Sequence, residues 1–114
     1  MIVVELPIKT VGGLNAREHW RKRAARVKAE RHAAWFMLGR LGSPPVLPVI
    51  VTMTRKSAGV LDDDNLQGAM KAIRDGIADY LYVPDNDPRI QWRYAQERCK
   101  RGQFGVRIEV EAIS

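Results

Sequence analysis

Four short segments of the chain carry the apolar patterns of strands, either as continuous apolar runs or as an alternation of apolar and polar residues. The first is Ile2–Leu6, which ends at Pro7. The second covers 46–54 and is almost continuously apolar and β-branched, as is typical of a central strand. Two further segments, 90–94 and 106–111, place apolar residues at every second position, so that one face of each strand is expected to be buried.

Two longer segments repeat their apolar residues with the period of an α-helix. The first helix is predicted over 16–41 and stops at the sequence GSPP. The second is predicted from Asp63 or Asp64, either of which would cap it, to Tyr80. The residues expected to share one stripe of the first helix are Trp20, Ala24, Val27, Arg31, Ala34, Met37 and Leu38, all apolar except Arg31. The expected apolar stripe of the second helix is Leu66, Met70, Ile73 and Ile77.

The predicted order is therefore β-α-β-α-β-β, an α+β fold with a small mixed sheet and two helices packed on it. The helix-linked steps are expected to be strand crossovers, and the last two strands are expected to form an antiparallel C-terminal hairpin. A chain of 114 residues is interpreted as one domain, 1–114.

Composition points to a cytoplasmic protein with a polyanionic partner. Cys99 is the only cysteine, no apolar run approaches the length of a membrane span, and the N-terminus lacks the basic region of a signal peptide. The net charge is +6, yet residues 61–90 hold three Lys/Arg and seven Asp. An acidic segment within a basic protein suits an enzyme that cleaves phosphodiesters, because cations hold the backbone and carboxylates hold a metal.

The acidic segment has two possible roles. Asp62, Asp63 and Asp64 precede the second helix, and Asp85 and Asp87 follow it. Helix capping and turn formation would explain some of these residues, and a divalent metal site would explain more of them. All are oxygen donors, so the metal would be Mg²⁺ or Mn²⁺ rather than zinc.

Other metal and nucleotide motifs are excluded. An EF-hand loop would require glycine where Gln67 stands, and the chain contains no Walker A sequence. His19 and His32 are too far from the acids for an HNH nuclease, and packing or surface roles are favoured for both.

The second helix carries one cation on the same face as an acid. Lys71 follows Asp64 by seven residues, so it lies about two turns along that face. Two interpretations of Lys71 remain open: it holds a phosphate or the attacking water, or it is a solvated surface lysine. Gly68, one turn after Asp64, suggests a close approach of a ligand or of backbone, with sequence drift as the alternative.

Basic residues of the first helix and of the loop before the acids are interpreted as phosphate contacts rather than as a solvated face. The candidate DNA-binding residues are Arg17, Arg21, Lys22, Arg26, Lys28, Arg55 and Lys56. The three tryptophans, Trp20, Trp35 and Trp92, are expected to lie in the core rather than to stack on bases.

The stretch 61–92, LDDDNLQGAMKAIRDGIADYLYVPDNDPRIQW, resembles the RusA-type Holliday junction resolvases, especially their phage and prophage members. The shared features are D-x-D-N-L at 62–66, the helix KAIRDGIAD, and the acidic turn at 85–87 before an Ile-led strand. The segment LNAREHWR at 14–21 and the order of elements also resemble that family.

The resemblance implies a homodimeric, Mg²⁺-dependent endonuclease that nicks four-way DNA junctions symmetrically in recombination and repair. Carried over by position, the metal ligands are Asp62, Asp64 and Asp87, the last preferred to Asp85 because it stands three residues before Ile90. Relatives carry a lysine where this chain has Gly68, and Lys71 is the expected substitute.

Two rival functions remain open. One is a non-catalytic basic module that binds branched DNA, with the aspartates acting only as caps. The other is an enzyme acting on a small phosphorylated substrate, for which binding should depend only weakly on salt, in contrast to DNA binding.

Overall fold

The computed structural model describes residues 1–11 and 18–113. Its elements are β1 (Ile2–Leu6), α1 (Trp20–Gly39), β2 (Val49–Ser57), α2 (Asp63–Leu81), β3 (Ile90–Arg98) and β4 (Gly105–Ala112). The predicted order β-α-β-α-β-β is confirmed, and so is the α+β class with a four-stranded mixed sheet and two helices.

The strands follow the spatial order β1-β4-β2-β3. β2 and β3 are parallel neighbours joined by α2, which confirms that crossover, whereas β4 runs antiparallel to both β1 and β2. The predicted hairpin between β3 and β4 is wrong, because β2 lies between them. Burial explains the order. β2 and β4 carry rows of fully buried side chains and take the centre, whereas Ile90 is the single buried residue among those of β3, which takes an edge.

The connection between β3 and β4 must therefore cross the end of β2. The backbone N–H of Cys99 donates to the carbonyl of Ser57 (3.0 Å), which extends the pairing with β2 by one bond. A turn then follows in which Gln103 N donates to Lys100 O (2.9 Å) and Gly102 has φ of +88°, a conformation that favours glycine. This loop, 99–104, closes over the C-terminal end of β2.

α2 buries the predicted stripe of Leu66, Met70, Ile73 and Ile77 against the core. It also touches α1 at Gly76, an approach that the apolar pattern did not reveal. A methyl group built on Gly76 would lie 2.9 Å from Ala34 Cβ and closer still to the Arg31 carbonyl oxygen. The two helices are therefore packed backbone to backbone at this point.

α1 departs from its predicted stripe. Its buried residues are only Glu30, Ala34 and Leu38, a single i, i+4, i+8 row, whereas Trp20 is 66% exposed and Val27 lies on the surface. The cause is that α1 packs mainly on another helix at a close approach, which covers a narrow row of side chains. Within the described ranges, no helix is long and apolar enough to cross a membrane.

Candidate functional site

The chain enters α2 through a loop held by the side chain of Gln96 on β3. The Gln96 amide accepts from Leu61 N (2.9 Å) and donates to Leu61 O (2.8 Å), so the residue before the acidic cluster is held at the level of position 96. Its Oε1 also accepts a long bond from Arg55 (3.4 Å). The first turn of α2 is thus anchored at the C-terminal ends of β2 and β3.

Asp62 is the N-cap of α2, rather than the predicted Asp63 or Asp64. Its carboxylate accepts from the backbone N–H of Asn65 (2.9 Å) and from the Asn65 side-chain amide (3.2 Å). The predicted metal ligand Asp62 therefore has a structural role that satisfies a free N–H group of the first turn.

Asp63 and Asp64 lie in the first turn of α2, and both are exposed. In the part of the chain that the structure describes, neither carboxylate forms an ion pair. The helix dipole stabilises negative charge at this position, so both remain available to a cation or to water.

Lys71 contacts two carboxylates, those of Asp75 and Asp85, each at 2.9 Å from its Nζ. The bond to Asp85 is the main cause of a raised pKa of Lys71, and it also lowers the pKa of Asp85. The predicted cation of this face therefore lies beside Asp85, about 10 Å along the helix from Asp64.

Arg74 holds the loop after α2 in place. Its Nε donates to the Asp85 carboxylate (2.9 Å), its Nη2 to the Asp85 carbonyl (3.1 Å) and its Nη1 to the Tyr94 hydroxyl (2.9 Å). The guanidinium lies 4.5 Å from the centre of the Trp92 ring, and Trp92 Nε1 donates to Asp85 O (2.8 Å). Sequence reasoning missed this cluster, because Arg74 carries no periodic signal. The alternation of Trp92 and Tyr94 gave the only hint, a shared face.

Asp87 is held by Arg89 rather than by any residue of α2. Arg89 donates two side-chain bonds (2.9 and 3.0 Å) and one backbone bond to it, and these lower the pKa of Asp87 to about 2. Asp87 O also accepts from Ile90 N, at the beginning of β3, whereas Leu61 is bonded to Gln96. Ile90, which is bonded to Asp87, and Gln96, which is bonded to Leu61, are six residues apart on β3, a distance of roughly 20 Å along the strand.

The structure therefore places Asp62 and Asp64 in the same turn at the start of α2, whereas Asp87 lies at the opposite end of β3. Over residues 1–11 and 18–113, no group of three His, Cys, Asp or Glu side chains lies close enough to hold a metal ion. Oxygens that share a Mg²⁺ ion must each lie about 2.1 Å from it. The predicted three-aspartate set does not fit a single Mg²⁺ ion in this arrangement, and the metal role of these residues stays a prediction.

The predicted phosphate contacts on α1 divide into two groups, and Arg17 lies outside the described residues. Arg21, Lys22 and Lys28 are exposed, and within the described ranges none of them pairs with a carboxylate. Arg26 differs, because it donates two bonds to Glu18 (2.8 and 2.9 Å) and one to Glu30 (3.1 Å). Its charge is therefore already balanced by acids of its own chain.

The two predicted contacts on β2 are also engaged. Lys56 Nζ donates to the Glu5 carboxylate at 2.9 Å. Arg55 is only 8% exposed and is enclosed by neutral acceptors. Neither residue is a freely solvated cation.

Two of the three tryptophans are on the surface, so their predicted place in the core is wrong. Trp20 is largely exposed and Trp35 is 46% exposed, whereas Trp92 is half-buried. Trp35 lines a shallow cavity of about 320 Å³ together with Lys28, Arg31, His32 and Asp79. An indole and cations thus share one exposed row of α1.

Comparison with known proteins gives one partial match and does not show a family. No protein-family model matches the chain. An uncharacterized protein of Xylella fastidiosa (strain Temecula1) is 38% identical over 78 residues, which cover 62% of this chain and 51% of that protein. The chain therefore spans about half the length of the relative that it matches.

Proposed function

We propose that the protein is a RusA-like, structure-specific DNA endonuclease that hydrolyses phosphodiesters in four-way junctions. The proposal is supported by the resemblance of the D-x-D-N-L pattern at 62–66 and of the order β-α-β-α-β-β to that family. A homodimer with twofold symmetry would present two equivalent sites to the related strands of a junction.

The observation that carries the proposal is the exposed pair of carboxylates in the first turn of α2. A cap needs only Asp62, so capping does not explain Asp63 and Asp64. Within the described residues, neither carboxylate forms an ion pair, although the protein has a net charge of +6. Exposed acids at a helix start, in an otherwise basic protein, suit a site where phosphate and a cation or water meet.

Residues of this chain would bind the DNA backbone, contact the attacking water and contact a phosphate near the cleavage site. Arg21, Lys22 and Lys28 would hold backbone phosphates on α1, with the Trp35 indole available to an unpaired base. Asp64 would accept a hydrogen bond from the attacking water or take part in binding a cation. Lys71, further along the same face, would contact a phosphate with the charge that it shares with Asp75 and Asp85. The family resemblance implies that cleavage depends on Mg²⁺.

The experiment is incubation with a synthetic four-way junction and with linear duplex of the same sequence, each with Mg²⁺ and with chelator. The proposal predicts paired, symmetric nicks in the junction only, and only with Mg²⁺. Absence of cleavage of every DNA under all conditions would contradict it.

The second candidate is a non-catalytic module that binds branched DNA. It is favoured by the capping bond of Asp62 and by the distance of Asp87 from the other acids. A gel-shift titration in chelator distinguishes the two candidates: the module would bind the junction tightly with a steep salt dependence and never cleave it after Mg²⁺ is added.

A further inference from the structure

Arg55 is a nearly buried cation without a balancing anion. It lies on β2, is 8% exposed, and donates to three neutral oxygens: Thr10 Oγ1 (2.9 Å), Gly59 O (3.1 Å) and Gln96 Oε1 (3.4 Å). Within the described ranges, it forms no ion pair with a carboxylate. Burial accordingly lowers the pKa of Arg55. A buried charge is costly unless it is paired, so this guanidinium lacks the partner that usually accompanies one.

Arg55 is one of the residues that line a cavity. The cavity has a volume of about 240 Å³, and its lining includes Lys9, Thr10, Arg55, Lys56, Ser57 and Gln103. The loop over the end of β2 supplies one wall through Gly102, Gln103 and Phe104. A water molecule occupies about 30 Å³ in the liquid, so there is room for an anion of several heavy atoms.

The charge of the lining is positive. Lys56 is paired with Glu5, but Lys9 is exposed and forms no ion pair with any described residue. Hydroxyl groups of Thr10 and Ser57 add neutral donors to the same wall. Guanidinium groups bind phosphate through charge-assisted bonds, and hydroxyl donors complement the remaining oxygens.

We propose that this cavity is a binding site for a single phosphate group, in which Arg55 and Lys9 supply the charge and Thr10 and Ser57 supply hydroxyl donors. If the proposed endonuclease activity holds, the site would hold a phosphate of the DNA strand near α2, because Arg55 also bonds the loop that leads into that helix. The phosphate site itself does not require any cleavage activity.

The test is a ¹H–¹⁵N NMR titration of the whole protein with inorganic phosphate at constant ionic strength. The expected result is saturable shifts confined to the amides of Thr10, Ser57, Ala58 and Gly59. Acetate, a singly charged carboxylate, should shift the same signals with at least tenfold weaker affinity.

Matched neutral variants then separate the site from general charge. Lys9→Gln should weaken phosphate binding roughly 3- to 10-fold, as expected for the loss of one charged contact. Arg93→Gln removes the same charge from an exposed position on β3 outside the cavity, and it should leave phosphate affinity unchanged. Lys9 is exposed, so its replacement leaves folding intact even where a variant of the buried Arg55 would not.

The proposal is overturned if the shifts are non-saturable, if acetate binds equally well, or if the two variants behave alike. A short oligonucleotide with a 5′-phosphate, compared with its 5′-hydroxyl form, identifies the source. Tighter binding of the phosphorylated form indicates a terminal phosphate, and equal binding through the same amides indicates an internal phosphodiester. Saturable binding in a protein that cleaves no junction would leave the site standing and remove the proposed endonuclease activity.

Discussion

Replacement of Gly76 by alanine tests the close packing of the two helices. The added methyl group would lie 2.9 Å from Ala34 Cβ and would overlap the Arg31 carbonyl oxygen. A backbone oxygen inside a helix cannot rotate away as a side chain would, so α1 and α2 must move apart. Overpacking of this kind costs about 1–3 kcal/mol.

The same change also has a favourable effect, because alanine forms helices better than glycine by about 1 kcal/mol. With a rigid backbone as the obstacle, the cost should lie near the top of its range, which leaves a net loss of about 2 kcal/mol. For a chain of this size, that corresponds to a fall in Tm of roughly 8 °C.

Gly39→Ala is the matched control. Gly39 ends α1, and a methyl group built on it has no atom within 4 Å. It should therefore be neutral or stabilising by up to about 1 kcal/mol. Urea and thermal unfolding followed by circular dichroism measure both variants. If Gly76→Ala proved as stable as Gly39→Ala, the helix contact would be looser than the structure describes.

Three further predictions concern charge, catalysis and binding. Glu30 is 4% exposed, and burial raises its pKa above the usual value of 4.5. The folded protein therefore binds the carboxyl proton more tightly than the unfolded chain does. The free energy of unfolding should fall as the pH rises from 4.5 through the pKa of the folded state. Glu30→Gln should stabilise the protein at pH 7 by about 1 kcal/mol, because Arg26 keeps its bonds to Glu18, and the gain should vanish near pH 4; lower stability at pH 7 would contradict this. Lys71→Ala should slow single-turnover junction cleavage roughly 10-fold while changing the free energy of unfolding by less than about 0.5 kcal/mol, since its side chain is 57% exposed; an unchanged rate would show that Lys71 takes no part in cleavage. Trp35→Ala should weaken junction binding by about 1 kcal/mol in a gel-shift titration without altering Tm, and equal binding would exclude base stacking there.

The sequence predicted the number, type and order of the elements, because period-2 and period-3.6 patterns report which residues face the core. It predicted the α2 stripe from Leu66 to Ile77 for the same reason. It did not predict which strands are neighbours. Apolar and polar residues alternate over 106–111, and this pattern fits both a strand paired in a hairpin with β3 and a strand in the centre of the sheet. The burial of β4 beside β2 decides between these two positions.

The site was less accessible to prediction than the fold. A run of three aspartates does not reveal that Asp62 is the cap, since each of them can accept from a free N–H group. The preference for Asp87 rested on its spacing from Ile90, whereas the loop folds back so that Asp85 lies beside Lys71. Arg55 is buried among partners 41 to 45 residues away, Gln96 and Thr10, and no local pattern encodes those contacts.

The most direct test of the proposed function compares two adjacent acids of the same helical turn. Asp64→Asn and Asp63→Asn remove the same charge from exposed positions, so their effects on net charge and on the helix dipole are alike. Both are assayed with a four-way junction at saturating enzyme in Mg²⁺, where differences in affinity no longer affect the rate. The proposal predicts that Asp64→Asn binds the junction but does not cleave it, whereas Asp63→Asn cleaves at close to the unmodified rate. Cleavage at the unmodified rate by both variants would show that the first turn of α2 is not the catalytic site.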